Sequence, residues 1–402
     1  MNYLNYRDTL VIMEVDITIG GEVLNTLNKV LIVTWIASLI VLFVFFFLWL
    51  KEDVLNSEIK TAAVSVEEPD IEEPVEEEEE EIVIPKETIE IGMIGDVLLH
   101  MRIATYKDFT SSFEALQPTF ESLDYLIANQ ESPPTGPEFA LSGYPRFSSP
   151  EHIIRDIQKV GVDMVVLANN HIVDKGDAGM TQVFQNIDKY EMPYVGAYRD
   201  EEDANTPRII EEKGIKIGML AYTYGTNGIQ VSQGSPYIVN YIDEEKMVAD
   251  IAAIKEDVDV VAVSMHWGPE YTTQENAEQN RLAQLLNDAG VDIIFGSHPH
   301  ILQPYEKLTN AQGEETHVFY SISNFFATIL TVPDSMIGGV ASFEITKEGD
   351  TVTVDKPKFV ATSNLLDSDG VYRVYPLAEV ENRSVRNLQW VQSVLGPDVL
   401  VQ

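Results

Sequence analysis

From about Thr88 onward, short apolar runs alternate with amphipathic stretches. IEIGMIGD (89–96) predicts a strand ending in a turn. HIIRDIQKVG (152–161) predicts a helix, followed by a buried strand and loop over VDMVVLANNH (162–171). IKIGMLAYTY (215–224) predicts a further strand. EKMVADIAAIKED (245–257) is helical in period and precedes the apolar run VDVVAVSMHWG (258–268). NRLAQLLNDAG (280–290) is helical and precedes VDIIFGSHPH (291–300), with another strand at HVFYSISNF (317–325). TVTVDKPKFVAT (351–362) alternates like a strand that completes the sheet, and SVRNLQWVQSVLG (384–396) predicts a closing helix. Strands alternating with helices argue for an α/β domain. No internal repeat is found.

A different pattern lies upstream. Val30 to Leu50 gives 21 residues without a charge. At roughly 1.5 Å per residue this run reaches about 30 Å, the thickness of a bilayer core. Trp35 and Trp49 lie near its ends, where aromatic residues favour the interface. A core helix is rarely apolar on every face over such a length, so the run predicts one transmembrane helix. A cleaved signal peptide fits less well, because the run starts late and no small-residue cleavage site follows. Arg7 and Lys29 precede the span, Lys51 and Lys60 follow it, and acidic residues crowd both sides. The charge pattern therefore leaves the orientation open.

Between the span and the α/β region, EEPDIEEPVEEEEEE (67–81) has no hydrophobic period and repels itself. It predicts an extended, disordered linker. A solvated spacer is the plain reading of the Glu run, and cation capture or docking is the other. The chain thus divides into an N-terminal segment (1–29), the span (30–50), an acidic linker (51–87) and a folded domain (88–402).

Composition changes the picture in two ways. The 402 residues carry a formal net charge of −39. From Lys51 to Glu90 there are 16 acidic and 3 basic residues, so the remaining −26 lies elsewhere and the folded domain is acidic too. Phosphate contacts need Lys and Arg, so nucleic acid is excluded as a partner. There are no cysteines, which excludes disulfides, thiolate metal sites and Cys nucleophiles.

Four of the buried-looking strands end in small polar clusters. These are Gly95–Asp96, Asn169–Asn170–His171, His266–Trp267–Gly268 and Gly296 to His300. Ligands of α/β sheets bind outside the carboxyl ends of the strands, so distant ends can converge on one pocket. Asn129 to Ser132 follows the apolar stretch Leu123 to Ala128 and adds Glu131. Carboxylates, amide oxygens and neutral imidazoles all suit divalent metals. Taken singly, each cluster has a plainer reading as a cap, turn or structural residue. Their shared position at strand ends, with four of the seven histidines among them, makes a metal pocket the joint expectation. In an extended segment His298 and His300 would share one face, with Pro299 fixing the backbone between them. His152 is expected at a helix surface and His317 as a cross-strand partner, while His100 stays ambiguous.

The ordered set GDVLLHMR, NQESP, FSSP, LANNHIVDKGDAG, HWGPEY, GSHPHILQ and YSISNF resembles the CapA/PgsA poly-γ-glutamate capsule biosynthesis family over roughly 89–330. That family resembles calcineurin-like metallophosphoesterases. The resemblance implies a layered α/β/β/α sandwich and one or two divalent ions: manganese, zinc, iron or magnesium. Carried over, Asp96 and His300 would bind a first ion, with Glu131 bridging. Asn170, His266 and His298 would bind a second. His171 would be a general acid or phosphate contact, oriented by Asp174. Leu98 stands where the phosphoesterase pattern has a ligand histidine, which removes one nitrogen from the first ion.

The resemblance also implies a membrane-anchored protein with its C-terminal domain outside the cell. Its expected partners are capsule synthase subunits and poly-γ-glutamate. Two other functions stay open: an active phosphoesterase working on an envelope phosphoester, and a metal-stabilised scaffold without catalysis.

Overall fold

The computed structural model describes residues 85–402, together with two short strands, Thr18–Ile19 and Glu22–Val23, that pair antiparallel. The N-terminal segment 1–29 apart from those strands, the predicted span 30–50 and the linker up to residue 84 lie outside the described residues. Among the described residues, no helix is long and apolar enough to cross a membrane.

The first long strand, β1 (Lys86–Val97), begins inside the predicted linker. Its early residues are charged but pair by backbone, in register from Lys86↔Glu348 to Ile94↔Val340 with a later strand. The strands that follow are β2 (Tyr125–Asn129), β3 (Met164–Val166), β4 (Tyr194–Val195), β5 (Ile209–Glu212) and β6 (Ile215–Thr223). Then come β7 (Val260–His266), β8 (Ile293–Ser297), β9 (Leu302–Thr309), β10 (Glu315–Ile322) and β11 (Asn324–Phe326). The last are β12 (Ile337–Glu348), β13 (Thr351–Leu366), β14 (Tyr372–Pro376) and β15 (Leu400–Val401).

They form two mixed sheets. The first has the order β14-β13-β12-β1-β2-β3-β4, with β11 beside β1 and β15 beside β13. Within it, β1 to β4 run parallel while β12, β13 and β14 pair antiparallel. The second has the order β9-β10-β8-β7-β6-β5. Its four central strands are parallel and both edges antiparallel. The predicted strand at 351–362 does complete a sheet, as β13.

The sheets face each other across one apolar layer, where Ile91, Met93 and Phe343 meet Ile217, Phe295 and Phe319. The Phe343 ring lies 5.7 Å from Phe295 and 5.5 Å from Phe319. Helices α1 (His152–Lys159) and α2 (Gly176–Lys189) cover the outer face of the first sheet through Ile153, Ile157, Val183 and Phe184. Helices α3 (Glu244–Lys255) and α4 (Ala277–Ala289) cover the second through Met247, Ile251, Leu282 and Leu286. The four layers are helix, sheet, sheet, helix, because each sheet has two apolar faces to bury.

Three histidines lie outside the convergent strand ends. His317 is a cross-strand partner as expected: the Tyr305 hydroxyl of β9 lies 2.7 Å from its Nδ1. His152 is only partly at the surface. It is half-buried, its ring stacks on Phe109 at 5.3 Å, and its Nε2 lies 2.9 Å from the Tyr106 carbonyl. His100, left ambiguous, sets its ring edge-on to Phe147 at 5.3 Å.

Candidate metal centre

The parallel strands of both sheets end on one rim. Asp96 sits at the end of β1, Glu131 two residues past β2, and Asn170 and His171 in the turn after β3. The second sheet contributes His266, the last residue of β7, and His298 and His300 just past β8. The structure brings all six predicted metal ligands, and His171 with Asp174, into one buried cluster. None of the eight is more than 4 % exposed.

Local geometry explains how the two sheets approach so closely. β11 runs beside β1, pairs Asn324 with Asp96, and takes the Asp96 N–H onto the Ser323 carbonyl at 3.0 Å. Only glycine fits before Asp96, since a Cβ on Gly95 would lie 1.9 Å from the Ser323 oxygen. Asn324 then places its Oδ1 2.9 Å from His300 Nδ1, and Asp96 Oδ2 lies 3.1 Å from the same nitrogen. These two acceptors fix an Nδ1–H tautomer on His300 and leave Nε2 free, 3.9 Å from Glu131 Oε1. Asn129 Nδ2 donates to Asp96 Oδ1 at 2.7 Å.

The second group is built likewise. The Ser297 hydroxyl lies 2.9 Å from His266 Nδ1. His266 Nε2 lies 3.2 Å from Asn170 Oδ1 and 3.6 Å from Glu131 Oε1. The His298 ring stands 4.9 Å from that of His266 and 4.6 Å from that of Tyr224.

The His-Pro-His segment departs from the expected extended form. His298 and His300 have φ of 94° and 60°, in the left-handed region. The two rings still face one pocket, 5.8 Å apart, but through two strained turns. Non-glycine residues with such φ cost on the order of 1–3 kcal/mol each and persist where surrounding structure over-determines them.

The residues fit a divalent cation. Glu131 is fully buried, and neither of its carboxylate oxygens has a hydrogen-bond partner; His298 Nδ1 is likewise buried and unpartnered. Orphaned buried acceptors of this kind are costly unless something cationic satisfies them. Ligand atoms of Asp96, Glu131 and His300 all lie within 4.8 Å of one another, as do those of Glu131, His266 and His298. Glu131 belongs to both sets, the position of a bridging carboxylate. Leu98 is buried against Phe147 and Ala327 and adds no donor.

His171 stands beside these sets. Its Nδ1 lies 2.8 Å from Asp174 Oδ2, which also accepts the Phe147 N–H at 2.6 Å. Asp174 thereby fixes the tautomer and leaves His171 Nε2 to exchange a proton. Sequence reasoning missed Asn129, Asn324, Tyr224 and Glu270 as members of this region. Three of them sit inside the quoted motifs, so the signal was present without an indication of direction. Tyr224 ends the strand run IKIGMLAYTY and carried none.

Charge in the pocket is uneven. Burial holds His298 down to about 3, helped by the charges of His300 and His171, and holds His266 well below the usual imidazole range. Burial also works against a charged His300, but Glu131 and Asp96 outweigh it and raise His300 to about 9. Burial, then Asp96, push the Glu131 carboxyl well above the usual range. At neutral pH, His266 and His298 therefore stand ready as ligands, while His300 carries a proton that an arriving cation must displace. Metal binding should release about one proton or more near pH 7.5 and tighten as pH rises towards 9. Calorimetric titration in buffers of different ionisation enthalpy measures this; a buffer-independent heat would refute it.

Residues 90–328 match the family model described as bacterial capsule synthesis protein PGA_cap. The chain is 30% identical over 251 residues to PGA biosynthesis protein CapA of Bacillus subtilis (strain 168), covering 60% of this chain and 63% of that protein. It is 26% identical over 253 residues to capsule biosynthesis protein CapA of Bacillus anthracis, covering 60% of each. The chain thus spans about three fifths of the length of these curated relatives. Among solved structures, a putative 5'-nucleotidase from Staphylococcus aureus aligns with a TM-score of 0.46 at 13% identity, covering 71% of this chain and 57% of that one.

Proposed function

Because the chain belongs to the bacterial capsule synthesis protein PGA_cap family, we propose that it acts in the synthesis, export or release of a poly-γ-glutamate capsule. In this reading the apolar run Val30–Leu50 anchors the chain in the cell membrane, and the acidic linker spaces the folded domain from its outer face. Capsule synthase subunits are its expected partners there. The pocket takes one or two divalent ions: manganese, zinc, iron or magnesium.

The observation that carries the metal part is Glu131, a buried carboxylate with two unpartnered oxygens shared by both ligand sets inside the matched region. Asp96, Glu131 and His300 would hold one ion, and Glu131, Asn170, His266 and His298 the other. A bound ion supplies Lewis acidity. The chain's own part is to orient His171 through Asp174 and to keep the ligands buried. A phosphoesterase reading draws its support from the His171–Asp174 pair beside those ligands.

The acidic surface sets a condition, because a polyanion approaches it only through bound cations or is pushed outward by repulsion. A strain lacking the gene should lose surface poly-γ-glutamate. The wild-type gene should restore it, whereas Asp96→Ala should not. Normal polymer in the deletion strain would refute the capsule role, and full restoration by Asp96→Ala would refute a need for the ions.

A further inference from the structure

Glu270 has no role in the ligand sets just described. It lies four residues past His266 on an exposed loop, yet its carboxylate falls within 4.8 Å of ligand atoms of both His298 and His300. The loop is held in place. The Tyr271 N–H donates to the Pro299 carbonyl at 2.8 Å, inside the His-Pro-His turn. Gln303 Nε2 donates to the carbonyls of Thr272 at 2.9 Å and Gln274 at 3.1 Å, while its Oε1 accepts from Gln279 Nε2 at 2.8 Å. Both amide side chains are fully buried. A buried amide pair thus fixes the segment that carries Glu270, which an ordinary surface glutamate does not have.

The result is a pocket with carboxylates on two sides. Glu131 reaches the histidines from the interior and Glu270 reaches two of them from the solvent side, beside the unpartnered Nδ1 of His298. Three carboxylates, those of Asp96, Glu131 and Glu270, offset most of the charge of even two divalent ions. No Lys or Arg side chain hydrogen-bonds any of these residues among the described residues. The nearby Lys175 turns its ammonium to Ser142 Oγ at 2.9 Å and the Arg146 carbonyl at 3.2 Å. Phosphoryl sites place cations where charge gathers on the phosphate oxygens. Here that open face carries a negative charge.

We propose that Glu270 directs this site to a neutral carbonyl, an amide or an ester, and screens out phosphoryl dianions. The inference rests on the pocket holding divalent ions. In the step it implies, a water oxygen adds to the carbonyl carbon and its proton goes to Glu270. The C=O π bond opened by that addition re-forms as the C–N or C–O bond breaks, and the leaving nitrogen or oxygen takes the proton held by Glu270. One water is consumed, and an acid plus an amine or alcohol is formed.

The full-length chain in detergent, loaded with manganese, tests this by titration with orthophosphate and with acetohydroxamate, alongside elemental analysis. Wild type should bind acetohydroxamate at least ~10-fold tighter than phosphate, and E270Q should gain ~10-fold or more in phosphate affinity with its metal content unchanged. Phosphate affinity that moves less than about 2-fold in E270Q would overturn the screen. So would loss of an ion in E270Q, which would make Glu270 an obligatory ligand. A wild-type chain that takes up no metal would overturn the metal reading itself, a result separable from both.

Discussion

Glu131→Gln should remove both ion positions at once and yet raise the melting temperature of the metal-free protein. The carboxyl is fully buried and both its oxygens lack hydrogen-bond partners, so its burial in the metal-free fold is offset only by His300, 3.9 Å away. Leaving such a group buried costs on the order of 1–3 kcal/mol. Burial and the nearby Asp96 already disfavour the ionised carboxyl, and a neutral amide removes that penalty. With metal present the order should reverse. Glu131 is the one residue common to the Asp96–His300 and the His266–His298 sets among the described residues. Replacing a residue that merely orients a ligand costs roughly 10–100-fold in metal affinity, and a shared ligand should cost at least the upper figure. Thermal melts with and without manganese, together with metal content, measure both effects. A variant that still gains stability from metal would show that Glu131 is not a ligand. One that melts below wild type without metal would show that the orphaned carboxylate is satisfied in a way the hydrogen bonds do not reveal.

Gly95→Ala should cost about 3 kcal/mol of stability and take the pocket with it. The added Cβ would lie 1.9 Å from the Ser323 oxygen and 2.9 Å from its carbonyl carbon, both backbone atoms that cannot swing aside. β11 would have to leave β1, breaking the Asp96 N–H to Ser323 bond and withdrawing Asn324 from His300. The variant should therefore bind metal weakly even where it remains folded. Gly225→Ala is the control, since its Cβ would meet nothing within 4 Å and its φ is not in the left-handed region. That change should stay within about 0.5 kcal/mol of wild type. Denaturant melts of the two variants settle the comparison, and equal stability would remove the close approach of β11 as the reason for glycine at this position.

Much of this architecture was legible because burial leaves a periodic trace. Strands covered on both faces, such as β7 and β8, read as continuous apolar runs, and the helices between them carried their own period. Other elements left weaker traces. α2 has buried Met180, Val183, Phe184 and Ile187 at helical spacing, but its first turn, GDAG, is polar and small. β12 mixes glycines with alternating polar residues and is set beside β1 by backbone pairing that no local pattern announces.

The sequence by itself determined which residue types gather at the strand ends, their order along the chain and the acidity of the domain, since these depend on identity and spacing alone. It also named Leu98 as the residue that supplies no ligand. Tertiary structure decided direction. Left-handed backbone at His298 and His300, rather than an extended strand, turns both rings into the pocket, and only the parallel pairing of β11 with β1 beside Gly95 brings Asn324 to His300. Glu270 is the clearest case: in sequence it lies inside the HWGPEY motif, with nothing to show where its carboxylate points. Buried Gln279 and Gln303, 24 residues apart, fix its loop over two histidines from the turn after the neighbouring strand. Contacts between residues so far apart in the chain leave no periodic trace in it, because each depends on how two separate elements are packed.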